Sequence, residues 1–220
     1  MLLFSNPHPE SVRQGLFMSE RSSRGFWEIL KNIEQRGMGN HNFSWDEEGI
    51  RKTVSLLLKG DYDMPLLFFD CLYQIPSNKP GDLKKLFAHR SGDFKKYIHE
   101  PGLERIGKIL RQYNIKTVIV FTGETFESIV NKPGISKGSR EKLCEFTKKA
   151  IKKDNSYEIF IKCMREGGLI QQVILPDLDS CVTAIKVMDT RAKYRWKIKG
   201  LSTFAHVLNF ALQYAHKREH

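Results

Sequence analysis

Pro65-Leu66-Leu67-Phe68-Phe69-Asp70-Cys71-Leu72-Tyr73 is a continuous apolar run broken by one carboxylate. An alternating run would suit a strand with one wet face. An unbroken one suits a strand buried on both faces, as in a parallel sheet covered by helices. A carboxylate in such a run is expected to emerge near the strand's end. Working outward, Leu2 to Ser5 reads as a second short buried strand, stopped by Asn6-Pro7-His8-Pro9, where two prolines force a loop. Thr117 to Phe121 is a third strand of mostly β-branched residues, and Thr122-Gly123 opens a helix from Glu124 to Val130.

Helical spacing of apolar residues marks Gly25 to Gln35, a segment from Asp46 to Gly60, Leu103 to Tyr113 and the closing Leu201 to Tyr214. Pro76 to Lys96 is looser and basic, and Lys132 to Lys153 reads as a helix with a lysine face. Tyr157 to Ile161 and Leu169 to Leu175 read as further strands. Strands alternating with helices predict an α/β fold: a three-layer α/β/α sandwich around a mainly parallel sheet. Its strands centre on residues 2–5, 66–72, 117–121 and 170–175. The 220 residues suit one domain, 1–220. Ligands of such sheets sit beyond the carboxyl ends of the strands, where Asn6, Asp70, Gly123 and Pro176 are expected.

Composition narrows the function. Lys and Arg number 36 against 25 Asp and Glu, an excess of 11 that attracts polyanions, of which nucleic acid is the commonest. The four cysteines form no C-x-x-C pair, so a zinc ribbon is not suggested and neither metal nor cofactor is expected. Reduced thiols, the lack of a signal peptide and the lack of a membrane-length apolar run lead to an expected intracellular protein, cytoplasmic or nuclear, and monomeric.

The first motif carries a resemblance. Asn6-Pro7, Ser11, Gly15 and Phe26-Trp27 stand in approximate register with the opening active-site pattern of the mismatch-specific uracil/thymine DNA glycosylases, within the uracil-DNA glycosylase superfamily. Gly25 is inserted after Arg24, and His8 stands where the family has glycine. Phe68 to Leu72 is similar in position to a family strand that places a base-reading Asn; here Asp70 or Cys71 takes that place. Val118 to Phe126 looks like the family's strand, Gly, helix unit. Val173 to Ser180 is similar in position to its second catalytic motif, without the family's Ser-rich or His-Pro-Ser pattern.

The resemblance implies a DNA glycosylase that flips a damaged or mismatched base and hydrolyses its N-glycosidic bond, with Asn6 positioning the water. Phe17 or Met18 would stack under the base, the choice between them being open. Asp70 or Cys71 would contact it, and an ionised Asp, which only accepts, would favour a base with an amino edge. Asp70 equally suits a structural role capping the next loop. Pro176, Asp179 and Ser180 would meet the DNA. In the basic, aromatic stretch from Arg191 to Lys197, Arg191 and Lys193 would hold phosphate. No lysine in the first motif suits a Schiff base, so a monofunctional hydrolase is expected. The other reading is an inactive relative of the same fold that binds nucleic acid or a nucleotide.

Overall fold

The computed structural model describes residues 1–15, 18, 26, 68–78, 80–87, 90–152, 156–187, 197–198 and 201–219. The helices expected at 25–35 and 46–60 lie outside the described residues, except for Phe26. The described strands are β1 (Leu2–Phe4), β2 (Phe69–Cys71), β3 (Thr117–Val120), β4 (Ile170–Val173), β5 (Val182–Lys186), β6 (Lys197–Ile198) and β7 (Leu201–Ser202). The helices are α1 (Pro9–Gln14), α2 (Pro80–Leu86), α3 (Ser91–Phe94), α4 (Glu100–Gln112), α5 (Gly123–Val130), α6 (Ser139–Ile151), α7 (Ser156–Glu166) and α8 (Thr203–Glu219). A π-helical turn, Lys95–His99, joins α3 to α4.

The main sheet has the order β2-β1-β3-β5-β4. β1 runs parallel to β2 and β3, and β3 parallel to β5, with Leu3 level with Asp70 and Val120. The expected α/β class with a mainly parallel sheet is therefore observed, and it is compatible with three layers. Alternation along the strands sorts the side chains. Leu2, Phe4, Ile119, Phe121 and Ile185 join the core beneath α6, α7 and α8. Leu3, Val118, Val120, Val182 and Ala184 join a second core with residues of α4 and α5. Phe26 is fully buried in the first core, with its ring edge-on to Phe4 and Phe121 at 5.7 Å, so this part of the Phe26-Trp27 pair is a packing residue.

Three expectations are corrected. Val182–Lys186 is a strand, inserted between β3 and the strand at 170–173, although the sequence reading placed none there. The strand at 170–173 is antiparallel to it, pairing Val173 with Val182. Loop 174–181 explains this, because a parallel crossover needs about a dozen residues or more. Tyr157 to Ile161 is helix, not strand. Its short apolar alternation hides the longer spacing of buried Phe160, Ile161, Cys163 and Met164, which only a helix brings to one face. No helix among the described residues is long and apolar enough to cross a membrane.

Candidate functional site

β1 delivers Asn6 to the carboxyl end of the parallel strands. Tyr73 N–H donates to Ser5 O at 2.8 Å, so the chain leaving β2 still runs alongside that leaving β1. The Asn6 amide nitrogen donates to Ser77 O at 3.0 Å, Ser77 Oγ at 2.7 Å and Pro7 O at 3.3 Å. A backbone carbonyl only accepts, so these contacts fix which end of the amide is nitrogen. Asn6 Oδ1 accepts no hydrogen bond among the described residues, and the residue is half-buried. It is an acceptor held in one direction at the mouth of the sheet. Beside it, Ser5 Oγ is buried with no hydrogen-bond partner among the described residues.

The loop after Asn6 is built by its own residues. His8 caps α1, its Nδ1 accepting from Glu10 N–H at 3.2 Å, with Pro9 in the first turn. Its φ of −75° is open to any side chain, so histidine stands there without strain. Gly15 ends α1 at φ 60°, a left-handed position that favours glycine. Glu10 is bound to Arg13 at 2.5 and 2.9 Å and to Gln14 at 2.6 Å; its hydrogen bond with Arg13 lowers its pKa. Its carboxylate is thus engaged along its own helix.

The residues assigned to base reading are placed differently. Asp70 lies level with Leu3, three residues below Asn6, or about 10 Å along a strand. Its side chain faces α4, where Arg105 grips it with Nη1 on Oδ2 at 2.6 Å and Nη2 on Oδ1 at 3.1 Å. Cys71 N–H donates to Asp70 Oδ1 at 2.7 Å, and Arg105 also reaches Cys71 O. Both carboxylate oxygens are therefore engaged within the fold, which corrects the expectation of an Asp70 emerging at the mouth. Cys71 is buried in the first core, and burial pushes its thiol pKa up to about 12, so it is a neutral packing residue. Met18 packs against the same core at φ 54°. Phe17 lies outside the described residues.

The late loop is at the other end of the sheet. Because β4 runs antiparallel, Val173 ends level with the start of β5. Pro176, Asp179 and Ser180 are exposed beyond the amino ends of the parallel strands, away from Asn6. The expectation that Pro176 lies beyond the strands' carboxyl ends is thus overturned by the direction of one strand. The Pro176 carbonyl instead faces Gly107 on α4, and Asp177 stands 3.9 Å from Lys108. Arg191 and Lys193 lie outside the described residues.

A cavity that the sequence reading missed lies between the chain leaving β2, the π-helical turn and one face of α5. It has a volume of about 330 Å³ and is lined by residues that include Tyr73, Phe94, Lys95, His99, Glu124 and Ser128. Tyr73 Oη and His99 Nδ1 are 3.1 Å apart. Burial raises the Tyr73 pKa, so it stays a phenol. His99 and Lys95 reach this wall through the π-helical turn. Pro101 has no N–H to offer the Tyr97 carbonyl and its ring crowds that group; the helix widens ahead of it, with Glu100 N–H donating to Lys95 O. Opposite, Thr122 caps α5 by accepting from Thr125 N–H at 3.2 Å, and the first turns of α5 carry Glu124 and Ser128. Lys186, at the end of β5, is buried with its Nζ donating to Phe121 O at 3.0 Å and to Val187 O. No group of three potential metal ligands occurs among the described residues.

No protein-family model, curated protein or solved structure matches the chain.

Proposed function

We propose that the protein is a DNA glycosylase that hydrolyses the N-glycosidic bond of a flipped base, with a water held by Asn6. One observation carries this reading: the Asn6 amide nitrogen is tied to Ser77, which leaves Oδ1 as a directed acceptor where an α/β sheet presents its ligands. The transition state of such a cleavage resembles a carbocation. It asks for a positioned water more than for a strong base, and an amide oxygen can supply that position. The surroundings agree in sign. Lys85, Arg90, Lys95 and Lys96 are exposed on the segments running from Tyr73 to Gly102, and Gly102 itself abuts the Leu72 carbonyl at this end. Phosphates can lie along such a rim while one base turns inward.

The test is a cleavage screen over oligonucleotides bearing uracil, hypoxanthine, xanthine, mismatched thymine and mismatched adenine or cytosine, run beside Asn6→Ala. Release of one base by the wild type and none by the variant supports the reading. Equal release by both would sink it. A second reading is a nucleic-acid binder of this architecture that does not cleave. Its support is the late loop: Pro176, Asp179 and Ser180 lie far from Asn6, so that loop brings no second motif to the mouth. Tight binding of a mismatched duplex, with no cleavage of any substrate, would favour it.

A further inference from the structure

We propose that the π-helical turn Lys95–His99 is a docking platform for single-stranded DNA: the Tyr97 ring stacks on an unpaired base while Lys95 and Lys96 hold the phosphates beside it. The proposal deepens the glycosylase reading, on which it rests for the choice of DNA as partner.

The turn presents these side chains outward on a fixed base. With Glu100 N–H donating to Lys95 O, the widened turn leaves Lys95, Lys96 and Tyr97 exposed in succession, while Ile98 and His99 are half-buried. Tyr97 is 61% exposed. Phe94, just before the turn, is buried, its ring centroid 5.7 Å from that of Phe87 and 5.5 Å from that of Tyr73. Packed rings thus anchor the backbone that leads to Tyr97, which lowers the ordering cost when a strand binds. The Phe87–Phe94 contact also holds the end of α2 beside α3, where Lys85 and Leu86 are exposed.

The charges around the ring suit phosphate. Lys96 forms no ion pair among the described residues, and its Nζ stands 5.2 Å from the Tyr97 ring centroid. Lys85, Arg90 and Lys95 meet Asp82, Asp93 and Glu100 at 3.5, 3.9 and 3.8 Å, with both partners of each pair exposed. Such pairs contribute little, so a phosphate can take the place of the carboxylate. The ring adds what charge lacks, an attraction for the face of any base. A duplex hides those faces between neighbouring base pairs, so an unpaired base is the partner the ring fits. A protein partner fits less well, because interface cores are depleted of lysine. A membrane surface also fits less well, since Leu86 and Tyr97 stand among charged residues and form no continuous apolar face.

The experiment measures affinity by fluorescence anisotropy for oligonucleotides of equal length: a thymine strand, an abasic strand with the same phosphates and no bases, and a duplex. The wild type is expected to bind the thymine strand at least about fivefold more tightly than the abasic one, the factor that stacking one base supplies. Tyr97→Ala is expected to erase that difference and to leave duplex affinity unchanged within about twofold, whereas Tyr97→Phe, which keeps the ring, retains the difference. Lys96→Gln is expected to weaken both single strands alike and to lower the slope of log affinity against log salt by about 0.7. Tyr97 is exposed, so its replacement does not threaten the fold, and the wild-type comparison needs no variant. Equal binding of the thymine and abasic strands would overturn the proposal, as would binding of neither, or a difference that survives in Tyr97→Ala. No bond is cut in these titrations. If the cleavage screen releases no base and the thymine strand is still preferred, the glycosylase reading fails and the docking platform stands.

Discussion

The Asp70–Arg105 pair gives the sharpest prediction, because the sequence suggested that Asp70 reads a base and the structure binds it to α4. The perturbation is Asp70→Asn, nearly isosteric but without the charge. Among the described residues, Arg105 would keep the Cys71 carbonyl and an amide oxygen as partners. Breaking a fully buried pair by removing one partner costs about 3–5 kcal/mol, and an exposed pair contributes about 0–1 kcal/mol. Here the two side chains are 20% and 26% exposed, nearer the buried limit. A loss of about 2–3 kcal/mol follows. For a chain of this size that lowers Tm by roughly 5–10 °C. The assay is urea and thermal unfolding of the wild type, Asp70→Asn, Arg105→Met and the double variant. The double variant should recover part of the loss, because it leaves no unpaired charge, with a coupling of at least about 1 kcal/mol. If Asp70→Asn is as stable as the wild type within about 0.5 kcal/mol and instead changes which base is bound, the structural assignment of Asp70 is wrong.

Other outcomes follow from the same geometry. Asn6→Ala should lower kcat by roughly 100-fold or more while DNA affinity changes little, because the lost contact acts in the transition state; single-turnover assays and binding isotherms separate the two. Ser77→Ala removes one of the acceptors that hold the Asn6 amide and leaves the Ser77 carbonyl, so a milder loss is expected in the same assay. Gly107→Ala places a β-carbon on the Pro176 carbonyl oxygen and should destabilise by at least about 1–3 kcal/mol, read by chemical denaturation. With its pKa raised to about 12, Cys71 should resist alkylation at pH 8 in the native protein, whereas exposed Cys181 reacts; mass spectrometry of the labelled chain locates the adduct. DNA affinity should fall by roughly 10³–10⁵ between about 50 and 200 mM salt if about 6 to 10 phosphates are held, and a flat salt profile would argue for a small ligand instead.

Much of the architecture was legible because it follows from local chemistry. The prolines at 7 and 9 dictate where β1 ends, Thr122 dictates where α5 begins, and both put their residues at the carboxyl end of the sheet. The strand at 182–186 was not legible. A run containing Lys186 does not read as a buried central strand, and carbonyl acceptors such as those of Phe121 and Val187 make a lysine acceptable there. Asp70 misled for a related reason. Sequence shows a carboxylate within an apolar run but not the arginine 35 residues later that neutralises it. The candidate cavity was invisible for the same cause, since Tyr73, His99 and Glu124 come from three separate elements.

The sequence by itself determined the class of fold, the position of Asn6 at a strand's end and the positive charge of the molecule, because each depends on residue type and short-range spacing. Tertiary structure decided what no local rule contains. The short loop between β4 and β5 reversed one strand and carried Pro176 to the far end of the sheet. The π-helical turn before Pro101 brought His99 against Tyr73. Arg105 took Asp70 out of the candidate site. Strand direction, helix register and charge pairing are relations between distant segments, and they exist only once the layers have packed.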